Sequence, residues 1–198
     1  MKVAIISFCL LISAFSHAQL SETETLENRA EHEAELRDTS LHMLDSMERA
    51  EWQGLDYYDF DTTYQVTARF KKKKGPKFEM PTSTDRLPVY RRYGYIYFEI
   101  EGVEYRLTVY QNVELTKREG FEDYLFIPFR DATSGKETYG GGRYMDVRIP
   151  EKKEMQIDFN QAYNPYCAYS HKWSCPIPPA ENTLKISIKA GEKIPLAH

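Results

Sequence analysis

Three consecutive glycines precede an arginine in residues 138–146, a combination typical of an anion-binding loop. Consecutive glycines let backbone N–H groups converge on a ligand that approaches the chain closely. The guanidinium of Arg143 adds a planar set of donors that suits a carboxylate or a phosphate. The spacing matches neither a Walker loop nor a dinucleotide-binding GxGxxG motif. The candidate ligand-binding residues are Gly140, Gly141, Gly142, Arg143, Tyr144, Asn164 and Tyr169.

The same glycines and arginine also fit a structural role. Three glycines can form a bulge or a sharp bend that needs positive φ angles, and Arg143 would then pair with an internal carboxylate such as Asp131 or Asp158. The sequence leaves the anion site and the internal ion pair equally open.

Aspartates, an asparagine and a cysteine are the candidates for catalysis. Acid–base catalysis by two carboxylates needs both in one cleft with separated pKa values, and sequence does not show that proximity. Aspartates at strand ends and turns commonly cap backbone N–H groups instead. The candidate catalytic residues are Asp131, Asp158, Asn160 and Cys167, and no recognised catalytic motif links them.

Cys167 and Cys175 allow three interpretations. A disulfide would close a short loop and contribute on the order of 2–3 kcal/mol in the chain-entropy model. Together with His171 the cysteines have spacing that suits a soft metal ion, but no fourth ligand is visible, so no metal site is assigned. Cys167 is alternatively a nucleophile with His171 as its base. Export of the chain, argued next, favours the disulfide.

Residues 1–18 have the pattern of a secretory signal peptide. Lys2 gives a positive start, an apolar run follows over residues 3–15, and Ser16-His17-Ala18 fits a cleavage site. The run is too short to span a bilayer comfortably, and no second apolar run follows. We expect cleavage after Ala18, which also removes Cys9, and export to the periplasm or the cell surface without a transmembrane segment.

Composition limits the remaining classes of function. The 198 residues carry 26 basic and 30 acidic side chains, a formal net charge of −4, which argues against a nucleic-acid partner. Hydrophobic residues make up 41%, which excludes a disordered chain. No motif favours a particular cofactor. A chain of this length forms one domain with a sizeable core.

The elements that position these residues fall into two parts after the signal peptide. In residues 19–54 a capping-box pattern, Ser21-Glu22-Thr23-Glu24, begins a helical segment that runs to Trp52 and breaks at residues 38–40. Residues 55–198 are β-rich. Alternating apolar residues predict strands over residues 64–70, 125–129, 155–159 and 184–188.

A hairpin over residues 95–110 is the clearest local prediction. A two-residue turn at Glu101-Gly102 places Ile100 opposite Val103 and sets the register of the whole pair. Short strands and tight turns predict a mainly β (α+β) fold, in which the helical segment precedes an antiparallel β-barrel or sandwich.

Several segments together resemble the signature of a family known as domain of unknown function 1684. The resemblance implies relatives among bacterial and archaeal proteins and no established activity. It covers most of the mature chain, including residues 52–55 and 82–110. The long, specific block runs over residues 139–193, and the segments that carry the resemblance are residues 129–135, 138–146, 158–169, 175–179 and 190–193.

The leading functional hypothesis is therefore a ligand-binding domain. Its site would be a rim built from residues 131–146 and 158–175, recognising a small anionic or polar ligand near Arg143. A hydrolase-type enzyme using Asp131, Asp158, Asn160 and Cys167 is one alternative. A structural protein of the envelope, docking through its acidic helical segment, is the other.

Overall fold

A computed structural model describes residues 20–196, in which two helices precede one mainly antiparallel sheet. The predicted signal peptide and Cys9 lie outside the described residues. None of the described helices is long and apolar enough to cross a membrane. The helices are α1 (Glu22–Arg37) and α2 (Ser46–Glu51). The strands are β1 (Gln65–Lys72), β2 (Lys77–Glu79), β3 (Val89–Ile100), β4 (Val103–Asn112), β5 (Tyr124–Phe129), β6 (Arg143–Arg148) and β7 (Glu154–Asp158).

The predicted capping box at the start of α1 is confirmed. Ser21 Oγ accepts the N–H of Glu24 at 3.2 Å, and the Glu24 carboxylate accepts the N–H of Ser21 at 2.7 Å. The predicted break at residues 38–40 is also present. The second helix is shorter than predicted, because Asp45 caps it through the N–H groups of Met47 and Glu48. Residues 38–45 therefore form turns.

The hairpin of β3 and β4 has the predicted register. Both turn residues have positive φ, 51° at Glu101 and 77° at Gly102, as a tight two-residue turn requires. Ile100 pairs with Val103, and Glu99 lies opposite Glu104. Arg69 of β1 approaches the Glu104 carboxylate at 3.4 Å, which offsets the like-charge pair.

Within the described residues the sheet has the strand order β6-β5-β4-β3-β1-β7, with β2 also paired to β3. It curls into a half-barrel whose edge strands are β6 and β7. Alternate residues of β4, β5 and β6 belong to two hydrophobic clusters on opposite faces of the sheet. Phe159, Leu184 and Ile188 complete the larger cluster, and Cys175 joins the smaller one. Residues 159–190 therefore contribute to both faces.

The predicted strand over residues 184–188 is wrong. Leu184 and Ile188 are buried, but the segment forms only scattered backbone bonds, such as Leu184 N–H to Arg130 O at 2.8 Å. Its alternating pattern reflects burial rather than a strand ladder. Conversely, strand β6 was not predicted. It begins directly after the three glycines, which favoured a loop at this point of the sequence.

Asn182 joins β4 to β5 where the two strands diverge. Its fully buried side chain accepts the N–H of Thr108 at 2.8 Å and donates to the carbonyls of Thr108 and Pro128 at 2.9 and 2.7 Å. These bonds replace missing ladder pairs, so a side chain from outside the sheet completes it.

Candidate functional site

Arg143, the first residue of β6, forms an ion pair and hydrogen bonds inside the protein. Its Nη2 donates to Asp131 Oδ2 at 2.7 Å and to the carbonyl of Ile188 at 2.9 Å. Its Nη1 donates to the carbonyls of Ala190 and Glu192. The side chains of Arg143 and Asp131 are only 1% and 0% exposed. This arrangement corresponds to the structural alternative, since these donors are used within the protein.

Close packing accounts for two of the three glycines. Gly142 has a φ of +93°, and a Cβ atom there would lie 2.6 Å from the carbonyl oxygen of Phe129 and 2.7 Å from Pro178. A Cβ atom at Gly141 would lie 2.3 Å from the ring of Tyr139. The glycines thus let the chain pass close to the end of β5 and into β6.

The other predicted ligand-binding residues hold the C-terminal segment. The buried Tyr144 hydroxyl donates to the carbonyl of Pro176. Asn164 Nδ2 donates to the Tyr169 hydroxyl at 2.9 Å and to the carbonyl of Lys193 at 2.7 Å. Tyr169 itself lines a pocket. These side chains are therefore brought together chiefly by internal hydrogen bonds.

Glu192 is a buried titratable residue that the sequence analysis did not single out. Its Oε2 accepts the N–H of Asn164 at 2.8 Å, and its Oε1 is buried without a hydrogen-bond partner. Burial raises the pKa of the Glu192 carboxyl to about 8. The carboxyl is therefore mostly protonated at neutral pH.

Asp158 and Asn160, two of the candidate catalytic residues, cap the end of β7. Asp158 accepts both the backbone and the side-chain N–H of Asn160, at 2.9 and 2.8 Å. Asn160 also bonds both backbone groups of Asp61. Asp131 is enclosed with Arg143, so the structure does not place Asp131 and Asp158 on a common cleft.

The two cysteines lie beside each other as free thiols. The N–H of Cys167 donates to Cys175 Sγ at 3.3 Å. A hydrogen bond donated by the Cys175 thiol lowers the pKa of Cys167 to about 6 and raises that of Cys175. His171 lies on a pocket that neither cysteine lines. In residues 20–196 no group of three histidine, cysteine or carboxylate side chains is arranged to hold a metal ion.

A polar pocket of about 380 Å³ lies where the two predicted rim segments meet, and we call it the α1 pocket. It is lined by residues of α1, of β6 and of the segment after β7, together with Tyr57. The backbone pairing of Tyr144 with Tyr163 holds the two segments together. Its lining residues are Asn28, Arg29, His32, Tyr57, Asp146, Asn160, Gln161, Tyr163 and Tyr166.

Arg29 of α1 supplies the cation of the α1 pocket. Its Nη1 and Nη2 donate to the carbonyls of Tyr58 and Asn160 at 2.9 and 3.2 Å. The guanidinium lies 4.5 Å from the centre of the Tyr57 ring, and its Nε has no partner. No carboxylate of the described chain lies within ion-pair distance. Burial lowers the pKa of Arg29, yet an arginine keeps its charge at neutral pH.

Asp146 supplies the carboxylate of the α1 pocket. It accepts hydrogen bonds from the Tyr124 and Tyr163 hydroxyls at 2.6 and 2.9 Å. The surrounding protein raises the pKa of Asp146, although the residue retains contact with solvent. The Nδ1 atom of His32 lies 3.3 Å from the Tyr57 hydroxyl oxygen. Burial lowers the pKa of His32. The pocket thus combines one cation, one carboxylate, a neutral imidazole and tyrosine walls.

Sequence reasoning identified both rim segments but missed Arg29, His32 and Tyr57. Arg29 and His32 lie three residues apart, which places them on one face of α1. That spacing was the available signal. It was hidden among the acidic residues of the helix, whose exposed face resembles an ordinary solvated surface.

Comparisons with known proteins place the chain among uncharacterised proteins. A family model described as "Protein of unknown function (DUF1684)" matches residues 50–193, so Arg29 and His32 precede the matched region. An uncharacterised protein of Haloarcula marismortui, solved by solution NMR, has a similar structure with a TM-score of 0.67. It is 33% identical and the alignment covers 89% of this chain and 96% of that one. No curated protein matches the sequence.

Proposed function

Because this chain belongs to the DUF1684 family, whose function is unknown, we propose a function from its own site: it binds a small anionic or polar ligand in the α1 pocket. The observation that carries the proposal is Arg29. Its guanidinium is half-buried, no carboxylate of the described residues lies within ion-pair distance, and a charge that loses hydration is costly unless an anion or several acceptors compensate it. Here two carbonyls compensate it only in part, and its Nε remains unbonded.

The pocket also limits what the ligand carries. A carboxylate or phosphate group suits Arg29, because the guanidinium presents paired planar donors. A hydroxyl or ammonium group suits Asp146, which otherwise repels an anion. The rings of Tyr57, Tyr163 and Tyr166 suit a compact organic body. A hydroxy acid or a small phosphorylated alcohol has these features.

Binding is better supported than the two alternatives. Hydrolysis by paired carboxylates would require a second carboxylate in the site, and Asp146 is the pocket's sole carboxylate among the lining residues. A structural role through the helices would call for an apolar stripe. Leu26 and Met47 are the strongly exposed large apolar residues of α1 and α2, and isolated residues of this kind are ordinary on a soluble surface.

A titration with chosen anions tests the proposal. We expect NMR signals of Tyr57, Tyr163 and α1 to move saturably with inorganic phosphate, malate or glycerol phosphate. Arg29→Gln should weaken that binding about tenfold or more, because it removes the cation. Arg37→Gln is the matched control, since Arg37 lies on the same helix and pairs with Glu33 at the surface. Arg29→Lys should retain part of the affinity.

Two results would overturn the proposal. One is the absence of any signal change in wild-type protein with all three probes at tens of millimolar. The other is unchanged affinity in a folded Arg29→Gln variant. Thermal denaturation of each variant separates loss of binding from loss of the fold.

We also infer that the protein is exported and lacks residues 1–18 in its mature form. The support is the signal-peptide pattern ending at Ala18. Intact-mass analysis of the protein recovered from the periplasm or medium should give a chain that begins at Gln19. A chain that retains Met1 in the cytoplasm would contradict export.

The disulfide between Cys167 and Cys175 belongs to the same proposal. Export exposes the thiols to an oxidising compartment. The adjacent placement of the two thiols supports their oxidation, because a disulfide forms only between cysteines that already lie close together.

A further inference from the structure

Cationic side chains are concentrated at one end of the sheet, although the chain as a whole is acidic. Residues 65–98 carry nine basic and two acidic side chains, whereas the whole chain has a formal net charge of −4. The centre of this excess is a run of four lysines at residues 71–74, which begins in the last two residues of β1 and is unused by the proposed function. We call residues 69–77, Arg92, Lys152 and Lys153 the basic end of the sheet.

Hydrogen bonds to the backbone hold the basic end together. The N–H of Lys73 donates to the carbonyl of Tyr93 at 3.1 Å, and Arg92 Nε donates to the carbonyl of Lys73 at 3.0 Å. The N–H of Phe70 donates to the carbonyl of Lys153 at 2.7 Å, which brings a second pair of lysines beside the first run. Two segments that are far apart in the sequence therefore contribute lysines to one surface.

The cations of the basic end are largely without carboxylate partners. Among the described residues, Arg69 is the single member of this set in an ion pair, an exposed one with Glu104 at 3.4 Å. Lys72 and Lys74 instead place their ammonium groups over the Tyr93 ring, 5.3 and 4.9 Å from its centre. Like charges at this density repel one another, and an anionic partner relieves that repulsion.

A groove of about 790 Å³ lies between the end of β1 and the turn that precedes β7. Five cations and two carboxylates line the groove, and its other lining residues are Phe70, Ile149 and Pro150. The lysines of the groove are exposed, whereas these apolar residues are buried or half-buried. Such an amphipathic surface suits a lipid, because ammonium groups attract phosphates while apolar residues accept carbon atoms.

The acidic helix α1 lies toward the opposite end of β1. It carries six acidic and two basic residues. Its Arg29 donates to the carbonyl of Asn160, which follows the end of β7, and that end of β7 pairs with Gln65 at the start of β1. The lysine run lies at the other end of β1, a strand of eight residues that is roughly 25 Å long. A flat anionic surface would therefore attract the basic end and repel the helix.

From this arrangement we propose that the basic end of the sheet binds the surface of an anionic phospholipid bilayer. The lysines contact lipid phosphates, and the apolar residues of the groove contact the glycerol region. A nucleic acid suits the surface less, because guanidinium groups already lie over the rings on which bases would stack. These contacts are Arg69 over Tyr97 at 4.3 Å and Arg92 over Tyr95 at 5.2 Å.

Cosedimentation with lipid vesicles tests the proposal. The vesicles consist of phosphatidylcholine alone or of phosphatidylcholine with about one-third phosphatidylglycerol. We expect the mature protein, which lacks the apolar residues 3–15, to bind the mixed vesicles and not the neutral ones. Binding should weaken steeply as added salt screens the charges.

Paired lysine variants locate the contact. Lys71→Gln combined with Lys72→Gln should weaken vesicle binding about tenfold or more, because each lysine near the bilayer adds to the attraction. Lys136→Gln combined with Lys185→Gln is the matched control. It removes the same charge from two exposed lysines outside the basic end and should change the affinity by less than about twofold. Thermal denaturation shows whether each variant is folded.

Arg29→Gln separates this proposal from the proposed function. The variant should bind the mixed vesicles as tightly as wild-type protein does, because Arg29 lies in the α1 pocket and outside the basic end. Failure of the α1 pocket as an anion site therefore leaves the bilayer test unaffected.

Three results would overturn the bilayer proposal. The first is the absence of binding to mixed vesicles at low salt, and binding of heparin under the same conditions would then assign the basic end to a soluble polyanion. The second is equally tight binding to neutral vesicles. The third is an equal loss of affinity in the two double variants, since total charge rather than the basic end would then determine binding.

Discussion

Arg143 and Asp131 form an ion pair with an Nη2–Oδ2 distance of 2.7 Å, and their side chains are almost wholly excluded from water. The pair joins the start of β6 to the loop after β5. Through its remaining hydrogen bonds, Arg143 also holds the carbonyls of Ile188, Ala190 and Glu192. The arginine that resembled a ligand contact in the sequence therefore organises three segments of the fold.

Removing one partner of this pair should destabilise the protein strongly. Asp131→Asn leaves the buried Arg143 charge without its carboxylate, and we expect a loss of about 3–5 kcal/mol in the free energy of unfolding. Asp123→Asn is the control, because Asp123 pairs with Arg148 while both side chains are about half exposed. The control should lose under about 1 kcal/mol in urea denaturation. Similar losses in both variants would contradict the structural importance of the buried pair.

Gly142 should tolerate alanine far less than another glycine with positive φ. Gly120 has a φ of +80° and open space around the position of a Cβ atom, whereas at Gly142 the new atom meets Phe129 and Pro178. Gly120→Ala should therefore cost about 1–2 kcal/mol, which is the cost of the backbone conformation. Gly142→Ala should cost roughly 2 kcal/mol more because of the collision.

Urea denaturation of both glycine variants measures the difference. Equal stability losses would mean that close packing does not explain Gly142. The interpretation of the three glycines as a ligand-binding loop would then regain support.

Glu192 should make the protein less stable as the pH rises. The pKa of its carboxyl rises from 4.5 to about 8 because of burial, so between these values the folded state holds a proton that the unfolded state releases. The free energy of unfolding therefore falls from about pH 4.5 to about pH 8, by roughly 4 kcal/mol for this group. Glu192→Gln should remove that part of the slope.

Urea unfolding at about pH 5 and pH 8 gives the comparison. Glu79→Gln serves as the control, since Glu79 is exposed on β2. A slope in Glu192→Gln that equals the wild-type slope would show that the Glu192 carboxyl does not hold the extra proton.

The features that sequence predicted well are those fixed by neighbouring residues. The cap at Ser21 depends on a residue three positions away, and the turn at Glu101-Gly102 depends on two backbone angles. Both are local consequences of residue type, so they can be predicted without knowing any distant contact. The register of β3 and β4 follows from that turn and from the buried face.

The features that sequence missed depend on distant contacts. An alternating apolar pattern looks the same whether the segment is a strand or an irregular segment with buried side chains. Residues 184–188 have the buried side chains but form no strand. Arg29 enters the α1 pocket through the carbonyls of Tyr58 and Asn160, which are 29 and 131 positions away. No local pattern encodes such a contact. Asp131, the ion-pair partner of Arg143, was one of two candidate aspartates, but a sequence contains no distances from which to choose between them.

Cys167 and Cys175 should be oxidised in the exported protein and unequal in reactivity when reduced. Intact-mass analysis of the native exported protein should show no alkylation and a mass two hydrogens below that of the dithiol. Reduction should lower the free energy of unfolding by roughly 2–3 kcal/mol in the chain-entropy model. Two alkylated cysteines in the native protein would contradict the disulfide.

In the reduced protein, Cys167 should react with iodoacetamide first at neutral pH. The hydrogen bond from Cys175 lowers the pKa of Cys167 to about 6, so its thiolate predominates at pH 7, whereas the Cys175 thiol stays protonated. Cys175→Ala removes that bond and should shift the midpoint of Cys167 alkylation to higher pH. An unchanged midpoint would mean that other groups, such as the Ser83 and Tyr139 hydroxyls, stabilise the thiolate instead. Cys167 would then owe its reactivity to those hydroxyls rather than to its neighbouring thiol.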